Sequence, residues 1–90
     1  MVQTFVIIVS GKVQGVYYRQ SAKQKAVELG VTGFVKNLPD GTVMLIATGT
    51  KEQLDKLVDW CRKGPPAARV SDVKVMEEEA HPYEAFTISR

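Results

Sequence analysis

The sequence predicts an α+β fold of order β-α-β-β-α-β, a split βαβ arrangement whose antiparallel sheet carries two helices on one face, with room for a short fifth strand at the end. Three observations point there. The spacing of apolar residues switches from strand-like to helix-like and back, twice along the chain. Turn residues fall at the switches, as Ser10-Gly11, Gly30, Pro39-Asp40-Gly41 and Gly64-Pro65-Pro66. Each helical stretch is apolar along one stripe only, and helices this short bury a stripe by lying on a sheet.

Phe5, Val6, Ile7, Ile8 and Val9 form a β-branched run ended by Ser10-Gly11, which predicts a central strand over 5–9 buried on both faces. Tyr18, Ala22, Ala26 and Leu29 then recur at helical spacing, and Gly30 closes that helix as a C-terminal cap. Residues 31–36 and 42–48 read as the arms of a hairpin, because Pro39, Asp40 and Gly41 between them each favour a turn. Thr50 and Gln53 have capping-box spacing at the start of a second helix, whose stripe is Leu54, Leu57, Val58 and Cys61 and whose stop is Gly64-Pro65-Pro66. Residues 70–76 alternate apolar and polar as a half-buried strand does, and 85–89 supply the short last strand. This is the ferredoxin-like arrangement, a frame that hosts many unrelated activities.

Ninety residues make a single domain, 1–90, near the lower limit for one hydrophobic core, and an apolar content of 44% is ordinary for a soluble chain. Twelve basic residues against ten acidic ones leave a net charge of +2, too little for a nucleic-acid footprint by charge alone. Cys61 is the only cysteine, which excludes an intramolecular disulfide and a multi-cysteine metal site. Residues 1–5 lack the basic and apolar regions of a signal peptide, and no run approaches membrane-spanning length, so a soluble cytoplasmic monomer is the default expectation.

The most informative stretch is 11–19, which places Gly11, Gly15 and Arg19 between the first strand and the first helix. Glycines open backbone conformations closed to other residues, so successive N–H groups can converge on an anion. The helix start adds unpaired N–H groups and the positive end of its dipole. Arg19 adds a planar donor fork suited to phosphoryl or carboxylate oxygens. On spacing alone, an ordinary strand-to-helix turn with a surface arginine accounts for the segment equally well.

Val9-Ser10-Gly11-Lys12-Val13-Gln14-Gly15-Val16-Tyr17-Tyr18-Arg19, together with Gly33-Phe34-Val35-Lys36-Asn37-Leu38-Pro39-Asp40-Gly41-Thr42-Val43 and Gly49, closely resembles the two signature segments of the acylphosphatase family, and the resemblance spans the chain in length and element order. It implies hydrolysis of the mixed anhydride of acyl phosphates to a carboxylate and inorganic phosphate. Arg19 matches the arginine that binds the phosphoryl group, and Asn37 the asparagine that positions the attacking water. Gln14, Gly15, Val16, Tyr17, Tyr18 and Arg19 match the backbone cradle for the phosphoryl oxygens, and Thr42 resembles a supporting threonine beside Asn37. Inorganic phosphate is then expected to compete with substrate. Tyr18 departs from the Phe or Met usual at its position, and its hydroxyl calls for a partner or for solvent.

The remaining chemistry-bearing residues read more plainly. His81 lies in a polar loop before Pro82 without a second ligand nearby, 77–79 is a solvated acidic strand end, and Cys61 is a packed thiol on its helix stripe. Trp60 falls off that stripe and covers the helix edge, while Lys12 is either a solvated turn residue or an attractor of anions. No His, Cys or carboxylate cluster accompanies the loop, so no metal and no cofactor are expected. Taken by itself, without the resemblance, Asn37 reads rather as a turn residue that bonds its own backbone. Two other functions share the element order: an RNA-recognition module, for which Phe34 is the one suggestive aromatic, and a ligand-binding regulatory domain without turnover. Hydrolysis of benzoyl or acetyl phosphate against tight RNA binding separates them.

Overall fold

In the computed structural model, which describes residues 1–89, the apolar stripes wind into α1 (Tyr18–Leu29) and α2 (Lys51–Lys63). Five strands surround them in chain order: β1 (Gln3–Lys12), β2 (Thr32–Asn37), β3 (Val43–Gly49), β4 (Arg69–Glu78) and β5 (Phe86–Ser89). Thr50 caps α2 through a complete capping box: its Oγ1 accepts from the Gln53 N–H at 3.2 Å, and Gln53 Oε1 accepts from the Thr50 N–H at 2.9 Å. Gly30, at φ 80°, ends α1 by giving its N–H to the Val27 carbonyl while Val31 N–H reaches the Ala26 carbonyl, the Schellman pattern.

The sheet runs β4-β1-β3-β2-β5. β1 pairs antiparallel with β3 and β4, and β2 antiparallel with β3, but β5 lies parallel to β2. The sheet is therefore mixed rather than wholly antiparallel. The reason is where β4 ends. Glu78 lies opposite Thr4, at the same end of the sheet where β2 begins, so a chain that crosses that end to the far edge must run back alongside β2 in its direction. His81, in the crossing segment, is tied down there by its backbone: its N–H donates to Thr4 Oγ1 at 2.8 Å, and its carbonyl accepts from Thr48 Oγ1 at 2.6 Å.

One core collects Phe5, Ile7 and Val9 of β1, Val35 of β2, Val43 and Leu45 of β3, and the stripes of both helices. The helices lie on that one face, so β1 is not buried on both sides. It alternates, with Val6 and Ile8 only half-buried on the open face. β1 also continues past Ser10-Gly11, the expected stop, to Lys12. Gly11 permits this at φ 120°: the register with β4 shifts there, and a Cβ at this position would collide with the Arg69 carbonyl. β4 is more exposed than its alternation suggests, with only Val70 and Val73 half-buried, because it is an edge strand broken by the same irregularity. Trp60 does cover its helix edge, with its ring centroid 5.2 Å from that of Tyr18.

Candidate active site

The cleft opens at the sheet end opposite the crossing segment, where β1, β2 and β5 finish and α1 starts. Val13 and Val16 are buried and pin the loop between β1 and α1 to the core. Between and after them the backbone turns twice through left-handed conformations, at Gly15 (φ 74°) and at Tyr17 (φ 63°). Gly15 takes that region freely; Tyr17, a residue 76% exposed, holds it as a strained non-glycine residue.

α1 begins with no side-chain cap and no acidic residue in its first turn. Its first N–H groups, on Tyr18, Arg19 and Gln20, have no acceptor within the helix, and all three residues line the cleft with Gly15, Tyr17 and Asn37. Where α2 satisfies its start with Thr50, α1 leaves its positive end to the cleft. Arg19 reaches across to β5, donating one guanidinium N–H to the Ser89 carbonyl at 3.4 Å.

Asn37 is the last residue of β2, opposite Val43, which brings it to the same cleft as Arg19 from the far side. Its Oδ1 is buried and accepts no hydrogen bond among the described residues. Such a buried, unpaired acceptor is rare and asks for an explanation.

The other predicted cradle residues divide by atom. Val16 and Tyr18 turn their side chains into the core, so only their main chain faces the loop. The Tyr18 hydroxyl finds its partner in the Cys61 carbonyl, donating at 2.7 Å, and burial pushes its ionisation well above the ordinary tyrosine value. Gln14 does not line the cleft; its side-chain Nε2 donates to the carbonyls of Leu38 at 2.8 Å and Thr42 at 2.9 Å. Thr42 differs from expectation as well: its hydroxyl donates to Asp40 Oδ1 at 2.6 Å, bracing the turn rather than Asn37. That contact and the Thr42 N–H hold the Asp40 carboxyl below its usual range. Of the two glycines in the motif, Gly11 serves the β1–β4 approach and Gly15 the cleft. Lys12 is exposed in β1 opposite Arg69, away from the lining.

Ile88, Gln20 and Val13 also line the cleft and were not singled out by the sequence. Ile88 carries no local signal, since only the parallel pairing with Val35 brings it there. Cys61 is fully buried, and that burial pushes its thiol up to about 12, so it is no nucleophile at neutral pH. Among the described residues no three His, Cys, Asp or Glu side chains gather as metal ligands, and no helix is long and apolar enough to cross a membrane. Phe34, the aromatic that suggested an RNA-binding face, packs edge-on against Tyr83 at 6.0 Å between centroids.

An open mixed sheet with both helices on one face defines a ferredoxin-like α+β protein, here with an uncapped helix start at its cleft. Comparison with known proteins narrows the class. The family model described as Acylphosphatase matches residues 5–88. The chain is 58% identical over 71 residues to an acylphosphatase of Methylococcus capsulatus, an overlap of 79% of this chain and 77% of the relative. It is 53% identical over 83 residues to one of Acaryochloris marina, covering 92% and 89%. The solved structure of an acylphosphatase from Coxiella burnetii superposes with a TM-score of 0.94 at 42% identity, over 98% of this chain and 93% of that one. The chain belongs to the acylphosphatase family.

Proposed function

We propose that this protein hydrolyses the carboxyl–phosphate bond of acyl phosphates without a metal, with the phosphoryl group held by the 14–19 loop and Arg19 and the water oriented by Asn37. The observation that carries the reading is the convergence of the uncapped start of α1, Arg19 and Asn37 on one cleft. Backbone N–H groups and a guanidinium fork suit three equatorial phosphoryl oxygens, and the buried Oδ1 of Asn37 suits an O–H donor beside them.

The chemistry asks for little more. Water forms a bond to phosphorus, the bond from phosphorus to the acyl oxygen breaks with its electron pair staying on the carboxylate, and the water's proton ends on phosphate or solvent. The leaving acid has a pKa near ~4, so it departs unprotonated and no general acid is needed. In a loose phosphoryl-transfer transition state, positioning and charge stabilisation do most of the work. An amide that only orients water is then sufficient.

The test separates the two side chains. Arg19→Ala is expected to weaken phosphate binding and turnover together, with poor rescue by lysine, which lacks the fork. Asn37→Ala is expected to lower kcat ~10²-fold or more with phosphate affinity nearly unchanged. Calorimetry of phosphate binding alongside kinetics checks both: wild-type turnover in a folded Asn37→Ala protein removes the water-positioning role, and unchanged phosphate affinity in Arg19→Ala removes the other. Exhaustive chelation is expected to leave hydrolysis intact and inorganic phosphate to compete with substrate; a loss restored by Mg²⁺ or Zn²⁺ overturns the metal-free mechanism.

A further inference from the structure

We propose that the side chain of Gln14 is a positioning residue that sets the spacing between the two halves of the site, the helix-start cradle and the hairpin that carries Asn37. The proposal rests on the assignment of Asn37 to the water. Gln14 itself does not line the cleft, so its side chain acts through others.

The two halves come from segments far apart in sequence and meet only in the folded chain. Gln14 precedes Gly15, the first left-handed residue of the loop. From there its Nε2 spans to the neck of the β2–β3 hairpin and gives both of its hydrogens, one to the Leu38 carbonyl at 2.8 Å and one to the Thr42 carbonyl at 2.9 Å. These two residues face each other across the neck, because Leu38 N–H donates to that same Thr42 carbonyl at 2.9 Å. Leu38 follows Asn37 directly, and Thr42 precedes Val43, the ladder partner of Asn37. One nitrogen thus grips both strands at the step beside the water-orienting amide. Among the described residues no other side-chain hydrogen bond joins the loop to the hairpin.

The chemistry of the clamp suits a neutral primary amide. Two carbonyl acceptors on one side need two donors on one atom, which the glutamine amide supplies at full reach. A carboxylate of the same shape offers only acceptors at neutral pH and sets oxygen against oxygen. A thioether fills the space and bonds nothing. Since a displacement of about 1 Å in a positioned group can cost ~10²-fold in rate, a contact remote from the phosphoryl group can govern turnover without touching affinity.

The experiment is a double-mutant cycle with full-length protein, benzoyl phosphate as substrate and inorganic phosphate as the binding probe. Gln14→Met is expected to lower kcat roughly 10- to 100-fold while the phosphate Kd moves less than about twofold. In the Asn37→Ala background the same change is expected to cost less than about twofold, because no amide remains to align. Wild-type kcat in folded Gln14→Met, or the same fold-loss in both backgrounds, overturns the clamp. Wild-type kcat in Asn37→Ala alone overturns the parent assignment instead, so the two failures are distinct. Where Gln14→Met fails a circular-dichroism check of folding, Gln14→Glu carries the test: its kcat relative to wild type is expected to rise as pH falls from about 7 to 5, when protonation returns one donor to the side chain. A flat ratio across that range overturns the proposal.

Discussion

Gly11 and Gly15 both adopt positive φ, yet they answer different demands. An added Cβ at Gly11 meets the Arg69 backbone, whereas at Gly15 it meets nothing within 4 Å. Gly15→Ala should therefore cost only backbone strain, about 1–2 kcal/mol, and Gly11→Ala more than that, because two strands must part. The functional order is reversed. Gly15 lines the cleft, so its alanine variant should weaken phosphate binding, while Gly11→Ala, where it folds, should bind phosphate as wild type does. Denaturant titration and phosphate calorimetry on both variants check the crossing; a common order in the two measurements would refute the division of labour.

The two helices share a length scale but treat their first turns oppositely. α2 begins beside Gly49, opposite Gln3, at the sheet end away from the cleft, and is closed by Thr50 and Gln53. Thr50→Ala should cost about 1 kcal/mol in stability and leave kcat unchanged, as read by denaturation and steady-state kinetics. α1 has no such cap, and the core holds it by Tyr18, Ala22 and Ala26. Tyr18 is both its first residue and its anchor, joined to Cys61 by one hydrogen bond. Tyr18→Phe leaves the Cys61 carbonyl without that donor and should cost roughly 1–2 kcal/mol. A variant as stable as wild type would mean that the hydroxyl contributes nothing.

At the scale of the whole molecule, burying Cys61 and Tyr18 makes stability depend on alkaline pH. Burial raises the Cys61 thiol from 9.0 to about 12 and raises Tyr18 from its ordinary 10.0 further still. The unfolded chain releases these protons first, so above about pH 9 it binds fewer protons than the native state, and unfolding becomes easier as pH rises. The stabilisation is complete below the ordinary values and is lost on the way up through the native ones. Melting temperature should fall from pH 9 toward 12, and fall less steeply in Cys61→Ala, which should keep its kcat because Cys61 does not line the cleft. Parallel pH curves for the two proteins would exclude Cys61 as the source.

Much of this was legible along the chain, because helix stripes, caps and turns are encoded by residues within a few positions of one another. Thr50 with Gln53, Gly30 after Leu29, and Pro39-Asp40-Gly41 each carry their own stereochemical instruction. Arg19 and Asn37 were legible as members of two signature segments, but their sharing of one cleft depends on where α1 and β2 end relative to each other. Burial was read less well: the run of 5–9 is equally apolar on both sides, and only the placement of both helices on one face leaves Val6 and Ile8 half-exposed. The parallel course of β5, and with it Ile88 in the cleft and Ser89 under Arg19, follows from the end of the sheet at which β4 stops. The partner of the Tyr18 hydroxyl and both acceptors of the Gln14 amide lie more than twenty residues away. The elements, their caps and the chemical kinds of group at the site could be read along the chain because each is encoded by near neighbours; which faces are covered and which distant carbonyls each polar side chain meets emerge only on folding, because they depend on packing between segments that no local spacing records.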